Sequence, residues 1–159
     1  MKLYNSLDPQ LIQLDSDADD KEEFLRQLIG KLNLKVKQAD ELLEKLMERE
    51  RQGSTSIGNH SAVPHTKMKS LKEPVVAIGI SKQGFLYHKN DPEPVHLIIL
   101  ILSPSQSPVI HLQILAAAAS LVKKGKPLIN DLLAVSRPVE LINIVTEYEM
   151  SKENRDNYG

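Results

Sequence analysis

The sequence Val-His-Leu-Ile-Ile-Leu-Ile-Leu occupies residues 95–102 and is almost continuously apolar. Its uninterrupted apolar part, Leu97 to Leu102, has six residues, whereas a membrane-spanning helix needs ~20. Short apolar runs of this kind are typical of strands that are covered on both faces. We therefore expect residues 95–102 to form the central strand of a sheet with helices on both sides.

The chain before this run predicts a strand, two helices and a second strand. Apolar side chains recur at helical spacing in residues 24–32 and again in 38–51, so each segment is expected to bury one stripe of a helix. Residues 11–14 form a short apolar piece, and Pro74 to Ile80 is rich in β-branched residues, as strands are. Residues 81–94 are polar and contain turn-forming residues, which predicts turns or a hairpin before the central strand.

The chain after the central strand predicts three helical segments. Ser107-Pro108 provides an N-cap serine and a proline at the first helical position, and Gly125 is expected to end that helix. A short helical piece at 130–133 and a last helix from residue 136 follow. Residues 149–159 are polar and predict a tail or a linker. The whole order predicts one α/β domain whose mixed sheet is covered on both faces.

Composition restricts the classes of function. The 159 residues suit one domain, with 41% hydrophobic and 26% charged residues. A net charge of -1 argues against nucleic acid as a main partner. The absence of cysteine excludes disulfides and thiolate chemistry and fits a cytoplasmic protein. We find neither a signal peptide nor a membrane-spanning segment in the sequence, so direct membrane insertion is not expected.

Residues 53–67, Gly-Ser-Thr-Ser-Ile-Gly-Asn-His-Ser-Ala-Val-Pro-His-Thr-Lys, contain the main candidate for chemistry. Small and turn-forming residues lead to the apolar pair Ala62-Val63, and Pro64 then fixes the backbone before His65. This pattern predicts a short strand that presents the imidazole of His65 at its exposed end.

Two further side chains are expected to join His65. His111 lies in the first turns of the helix after the central strand, where the helix dipole favours an anion. Arg49 lies near the end of the second helix. A crevice with two imidazoles and a guanidinium suits a phosphoryl group, with one imidazole as nucleophile and the other groups offsetting charge. The remaining histidines, His60, His88 and His96, are interpreted as surface or structural residues.

Other chemistries fit the sequence less well. Two histidines could bind zinc, but neither cysteine nor a His-x-x-x-His spacing supports such a site. A serine hydrolase would require a Gly-x-Ser-x-Gly elbow, and a P-loop would require a terminal Gly-Lys-Ser/Thr. Neither motif is present.

Several of these motifs together resemble a known family. Glu50, Ile57-Gly58 and Ala62-Val63-Pro64-His65 are similar to the signature of type-2 IIA domains of the bacterial phosphoenolpyruvate-dependent sugar phosphotransferase system. This is the fructose, mannitol and nitrogen-regulatory IIA family. Further similarities are Arg49 before Glu50, Lys67 two residues after His65, and the segments 93–97 and 111–115. Ser61 and Thr66 depart from the pattern, and the resemblance covers roughly residues 5 to 148.

The resemblance implies a three-layer α/β/α domain over residues 1–148, with 149–159 as a polar tail or linker. It implies that His65 accepts a phosphoryl group, at Nε2, from the phosphohistidine of HPr or a related carrier and passes it to a IIB domain. His111 and Arg49 would support the phosphoryl group, and neither a metal nor a small cofactor is implied. Two roles stay open: a component of sugar uptake, or a regulatory domain whose phosphorylation state controls a partner such as a transporter.

Overall fold

The computed structural model describes the backbone of residues 1–158 and the side chains of residues 1–151. The strands are Ile12–Gln13 (β1), Ser56–Gly58 (β2), Ser61–Ala62 (β3), His65–Met68 (β4), Val75–Phe85 (β5) and Val95–Pro104 (β6). The α-helices are Lys21–Gly30 (α1), Val36–Arg51 (α2), Pro108–Val122 (α3), Lys126–Leu133 (α4) and Pro138–Tyr158 (α5). Two short 3₁₀ helices, Leu3–Ser6 and Pro9–Leu11, precede β1.

Strand β6 lies at the centre of the sheet, as its apolar sequence predicts. It pairs antiparallel with β5 on one side and parallel with both β3 and β4 on the other. β1 extends the sheet by pairing parallel with β5, and β2 pairs antiparallel with β3. The sheet is therefore mixed, which confirms the predicted fold class.

The two faces of β6 are covered by different helices. Leu97, Ile99 and Ile101 belong to a core that includes buried side chains of α3, α4 and α5. The alternating residues Ile98 and Leu100 belong to a second core, formed with α1 and α2. Because successive strand residues point to opposite faces, this division produces the three layers that the sequence predicts.

Strand β5 is longer than its sequence predicts. The predicted strand ends at Ile80, but pairing with β6 resumes at Phe85, which lies opposite Val95. The register of the pairing shifts between Ile80 and Phe85. The polar residues that resembled a turn therefore lie in an irregular part of β5. The expected hairpin is present, and its connection is shorter than predicted.

Helix α5 extends through the segment that the sequence predicts to be a polar tail or linker. Glu149 is buried, and its carboxylate accepts hydrogen bonds of 2.8 Å from the backbone N–H groups of Leu3 and Tyr4. The first helical turn is thereby tied to the last helix. Contacts of the fold thus continue past residue 148, while the division into a domain and a linker stays a prediction.

Gly125 separates two helices. Helix α3 ends at Val122, and Gly125 adopts a positive φ of 70° immediately before α4. Glycine populates this region without steric cost. Among the described residues, no helix is both long and apolar enough to cross a membrane.

Candidate functional site

His65 is the first residue of β4, so it begins a second short strand and does not, as the sequence predicted, end the strand that precedes Pro64. β3 ends at Ala62, and two residues separate it from β4. Both short strands pair parallel with β6, and Pro64 still accepts a 2.9 Å hydrogen bond from the N–H of Ile101. Because proline has no N–H to donate, the ladder is interrupted at this point. The interruption places His65 on β4, which pairs with the central strand β6 opposite Ile101.

The imidazole of His65 has a fixed orientation. Its Nδ1 lies 2.8 Å from the backbone carbonyl oxygen of Val63. A carbonyl oxygen only accepts, so Nδ1 must carry a proton and donate it. In the neutral ring, Nε2 is therefore the nitrogen with the free lone pair. With its lone pair free, Nε2 can act as a nucleophile.

His111 faces His65 from helix α3. It is the fourth residue of that helix, and the two ring centroids are 5.8 Å apart at an interplanar angle of 54°. Partial burial lowers the pKa of His111, and the nearby His65 and Lys67 lower that pKa further. The ring is therefore held mainly in its neutral form near pH 7. In that form, one of its nitrogens can donate a hydrogen bond to an anion at His65.

Arg49, in the last turn of α2, lies beside His65. Its guanidinium donates a hydrogen bond of 2.8 Å from Nη1 to the carbonyl oxygen of Gly53. Together with His65 it lines a cavity of about 210 Å³, whose other walls are Ser54, Thr55, Ile57, Val63, Leu115 and Ala119. A guanidinium has five N–H donors, so further donors remain for a bound anion. The structure thus places Arg49 and His111 each beside His65, and His111 is not among the residues that line this cavity.

A buried carboxylate supports the loop between α2 and His65. Glu50 accepts hydrogen bonds from the backbone N–H of Thr55 at 3.1 Å, from the Thr55 hydroxyl, and from the Tyr87 hydroxyl at 2.6 Å. Lys21 is paired with the same carboxylate at 3.6 Å. Thr55 in turn accepts a 2.9 Å hydrogen bond from the N–H of Val63. This network therefore connects the end of α2 to the residue whose carbonyl group orients His65.

The sequence matched Glu50 to the family signature but indicated no structural role for it. It also gave no indication that Thr55 and Tyr87 support the site. Burial, and next the charge of Glu50, raise the pKa of Tyr87, so this phenol stays protonated as a donor. A signal for Glu50 was present, because it follows Leu42 and Leu46 at a spacing of four on the buried stripe of α2. No comparable local pattern identifies Tyr87.

The other histidines make their hydrogen bonds with residues other than His65. The ring of His60 donates from Nδ1 to the carbonyl oxygen of Pro94 at 2.8 Å and lies 5.6 Å from the ring of His96. His96 donates from Nδ1 to the carbonyl oxygen of Ser81 at 2.7 Å, which fits the structural role expected from the sequence. His88 accepts a hydrogen bond from the N–H of Asn90. Among residues with described side chains, no group of three or more potential ligands could hold a metal ion.

Comparison with known proteins gives consistent matches. The family model for the phosphoenolpyruvate-dependent sugar phosphotransferase system, EIIA 2, matches residues 5–148. The fructose-specific EIIABC component of the phosphotransferase system from Bacillus subtilis (strain 168) is 28% identical over 151 residues. That match covers 94% of this chain but only 24% of the relative, so the chain spans about a quarter of that protein.

Two solved structures show the same architecture. The nitrogen regulatory protein IIA-Ntr from Neisseria meningitidis superimposes with a TM-score of 0.78 at 25% identity, covering 89% of this chain and 97% of that one. Enzyme IIAMTL from Escherichia coli, solved in complex with phosphorylated enzyme IIBMTL, gives a TM-score of 0.69 at 20% identity. The second match covers 89% of this chain and 97% of that chain, and it shows the fold alone.

Proposed function

Because the chain belongs to the EIIA 2 family of the phosphoenolpyruvate-dependent sugar phosphotransferase system, we propose that it is a phosphocarrier. In this proposal His65 accepts a phosphoryl group from the phosphohistidine of HPr or a related carrier. It then passes the group to a IIB domain. The observation that carries the proposal is the hydrogen bond from Nδ1 of His65 to Val63, which leaves Nε2 as the free nucleophile.

The proposed transfer is a displacement at phosphorus. The lone pair on Nε2 of His65 forms a new N–P bond while the N–P bond to the donor histidine breaks, and the donor imidazole keeps the bonding electrons. The transferred oxygens stay negatively charged throughout, so the protein contributes mainly positioning and charge compensation. His111 is the proposed hydrogen-bond donor to these oxygens, and Arg49 contributes a positive charge beside the same cavity. In the proposed transfer to the IIB domain, His65 is the donor. Its N–P bond breaks while an acceptor group of the IIB domain forms the new bond to phosphorus.

A regulatory role is the second candidate. It is favoured by the structural similarity to the nitrogen regulatory protein IIA-Ntr from N. meningitidis. In this role the same phosphohistidine would control a partner protein, such as a transporter, because phosphorylation changes the charge of the surface around His65. Both roles use cytoplasmic phosphotransfer partners, so we place the protein in the cytoplasm without direct membrane insertion.

The proposal is tested by incubating the protein with phosphoenolpyruvate, enzyme I and HPr and measuring intact mass. We expect the addition of one acid-labile phosphoryl group. His65→Ala should remove the labelling completely, whereas His111→Ala should slow it by about 100-fold or more, as the loss of one charge-stabilising donor does. His88→Ala serves as the control, because the hydrogen bond that this ring accepts, from the N–H of Asn90, lies within its own loop.

The outcomes test two points separately: whether His65 accepts a phosphoryl group, and which role the phosphorylated protein has. If the protein gains no mass while a control IIA domain is labelled, the phosphocarrier proposal is wrong. If it is labelled, adding IIB domains tests the transport role directly by following loss of the phosphoryl group from His65. Labelling without transfer to any IIB domain tested would favour the regulatory role.

A further inference from the structure

Two buried polar atoms lack hydrogen-bond partners among the side chains that the structure describes. They are the hydroxyl oxygen of Ser103 and Nδ1 of His111. Ser103 is completely buried. Buried polar atoms are nearly always hydrogen-bonded, so an exception requires an explanation. The pair is informative because one of the two atoms belongs to the proposed phosphoryl site.

Strand pairing places Ser103 beside that site. In the parallel pair of β4 and β6, His65 lies opposite Ile101 and Lys67 lies opposite Ser103. Side chains two residues apart on a strand project to the same face. Ile101 belongs to the core that includes α3, so Ser103 projects to the face that α3 covers.

His111 approaches the same position from α3. Its ring lies against His65 and its pKa responds to the charge of Lys67, the residue paired with Ser103. Ser103 is thus paired with Lys67, two residues after His65, and the His111 ring contacts His65. Both side chains therefore lie on the face of β6 that α3 covers, close to β4.

The two atoms are chemically complementary. A serine hydroxyl supplies a proton to donate, and an unprotonated imidazole nitrogen supplies a lone pair. Buried N–H groups without an acceptor are rarer in proteins than acceptors without a donor. The unpartnered Nδ1 is therefore better described as a lone pair than as an N–H group. One hydrogen-bonded link satisfies both atoms.

We propose that the Ser103 hydroxyl donates to Nδ1 of His111 through one ordered water, and so fixes the His111 proton on Nε2. Ser103 is then a positioning residue, since it acts on the phosphoryl site only through His111. Its role in transfer rests on the function proposed above, whereas the position of the His111 proton is a property of the free protein.

The consequence is a pair of imidazoles with opposite tautomers. His65 has its proton on Nδ1, held by Val63, and presents a bare Nε2. His111 has a bare Nδ1 and presents Nε2–H. A nucleophilic lone pair and a neutral N–H donor thus face the same phosphoryl group. Because each ring is fixed through its Nδ1, neither has to exchange tautomers during transfer.

The test is ¹⁵N NMR of the imidazole nitrogens in the unphosphorylated protein. We expect Nδ1 of His111 to be the unprotonated nitrogen, with a chemical shift typical of a hydrogen-bond acceptor. Ser103→Ala should move this signal toward that of an unbonded lone pair or increase the other tautomer. Ser103→Cys replaces the hydroxyl by a somewhat larger group that is a weaker donor, and should give an intermediate shift. Ser81→Ala is the matched control, because Ser81 is equally buried but lies in β5. Its hydroxyl oxygen accepts a hydrogen bond from the N–H of Gly84.

A second measurement addresses transfer. Ser103→Ala should slow the labelling of His65 about three- to tenfold, the effect of losing one ordinary hydrogen bond, and Ser81→Ala should not. A protonated Nδ1 on His111 in the unmodified protein would overturn the proposal. So would identical His111 spectra for Ser103→Ala and Ser81→Ala. If the spectra agree with the proposal but His65 is never labelled, the phosphocarrier function fails and the inferred tautomer stands.

Discussion

Nδ1 of His65 lies 2.8 Å from the carbonyl oxygen of Val63, only two residues earlier in the chain. This contact predicts that phosphorylation occurs at Nε2, because Nδ1 is committed as a donor. ¹⁵N and ³¹P NMR of the phosphorylated protein distinguish the two phosphohistidine isomers. A phosphoryl group on Nδ1 would contradict this prediction, since it would require the bond to Val63 to break.

The lowered pKa of His111 predicts a specific dependence of stability on pH. An unfolded histidine has a pKa of about 6.5, so below that value the unfolded chain binds a proton that the folded protein resists. Stability should therefore decrease as the pH falls below about 6.5. His111→Gln removes this titration, and its free energy of unfolding should fall less steeply between about pH 7 and 5. Denaturant titrations of both proteins at several pH values measure the difference, and equal slopes would exclude it.

The Glu50 network should contribute to both stability and transfer. Glu50→Gln replaces a carboxylate that accepts from Thr55 and Tyr87, so its free energy of unfolding should decrease by about 1–3 kcal/mol. Because Thr55 also bonds to Val63, His65 should be labelled more slowly in this variant. Glu41→Gln on the exposed face of α2 is the control and should change neither quantity. A fully stable Glu50→Gln variant would show that the network is not important for the fold.

The central strand and most helices could be predicted because their signals are local. The apolar run of β6, the Ser107 cap and the apolar stripe of α2 each specify an element from neighbouring residues. Glu149 gave no such signal. It lies in a polar segment, and its partners, Leu3 and Tyr4, are at the opposite end of the sequence. Contacts of that kind depend on the completed fold.

In the candidate site, too, local features could be predicted from the sequence and long-range contacts could not. His65, His111 and Arg49 were identifiable from residue type and position, and the structure places His111 and Arg49 each beside His65. The sequence did not predict that Pro64 interrupts a pair of short strands, because strand pairing is a long-range property. It likewise did not identify Tyr87, whose hydroxyl reaches Glu50 across 37 residues of sequence.

Close packing of α1 on the sheet predicts that Gly79→Ala destabilises the protein. A Cβ atom at Gly79 would lie 2.3 Å from Cε1 of Phe24 and 3.1 Å from Cδ2 of Leu28. Relieving this overlap should cost about 1–3 kcal/mol. Combining Gly79→Ala with Phe24→Leu should cost less than the sum of the two single changes, because the shorter side chain removes the overlap.

The control for that prediction is another glycine. Gly30→Ala places its Cβ with no atom within 4 Å, so it should be neutral or stabilise the protein by up to about 1 kcal/mol. Thermal or denaturant unfolding of the four variants gives all of the required free energies. Additive effects of Gly79→Ala and Phe24→Leu would show that the two residues are not coupled.

Glu149 predicts that the folded unit depends on residues beyond 148. Its two carboxylate oxygens each accept a backbone N–H at 2.8 Å, from Leu3 and Tyr4. In Glu149→Gln, one of these N–H groups faces an amide NH₂ and loses its acceptor, so the free energy of unfolding should fall by about 1–3 kcal/mol. Glu147→Gln is exposed on the same helix and should stay within about 0.5 kcal/mol of the unmodified protein. Hydrogen exchange should show faster exchange of the Leu3 and Tyr4 amides in Glu149→Gln only. Equal stability and exchange in both variants would mean that the contact does not hold the chain ends together.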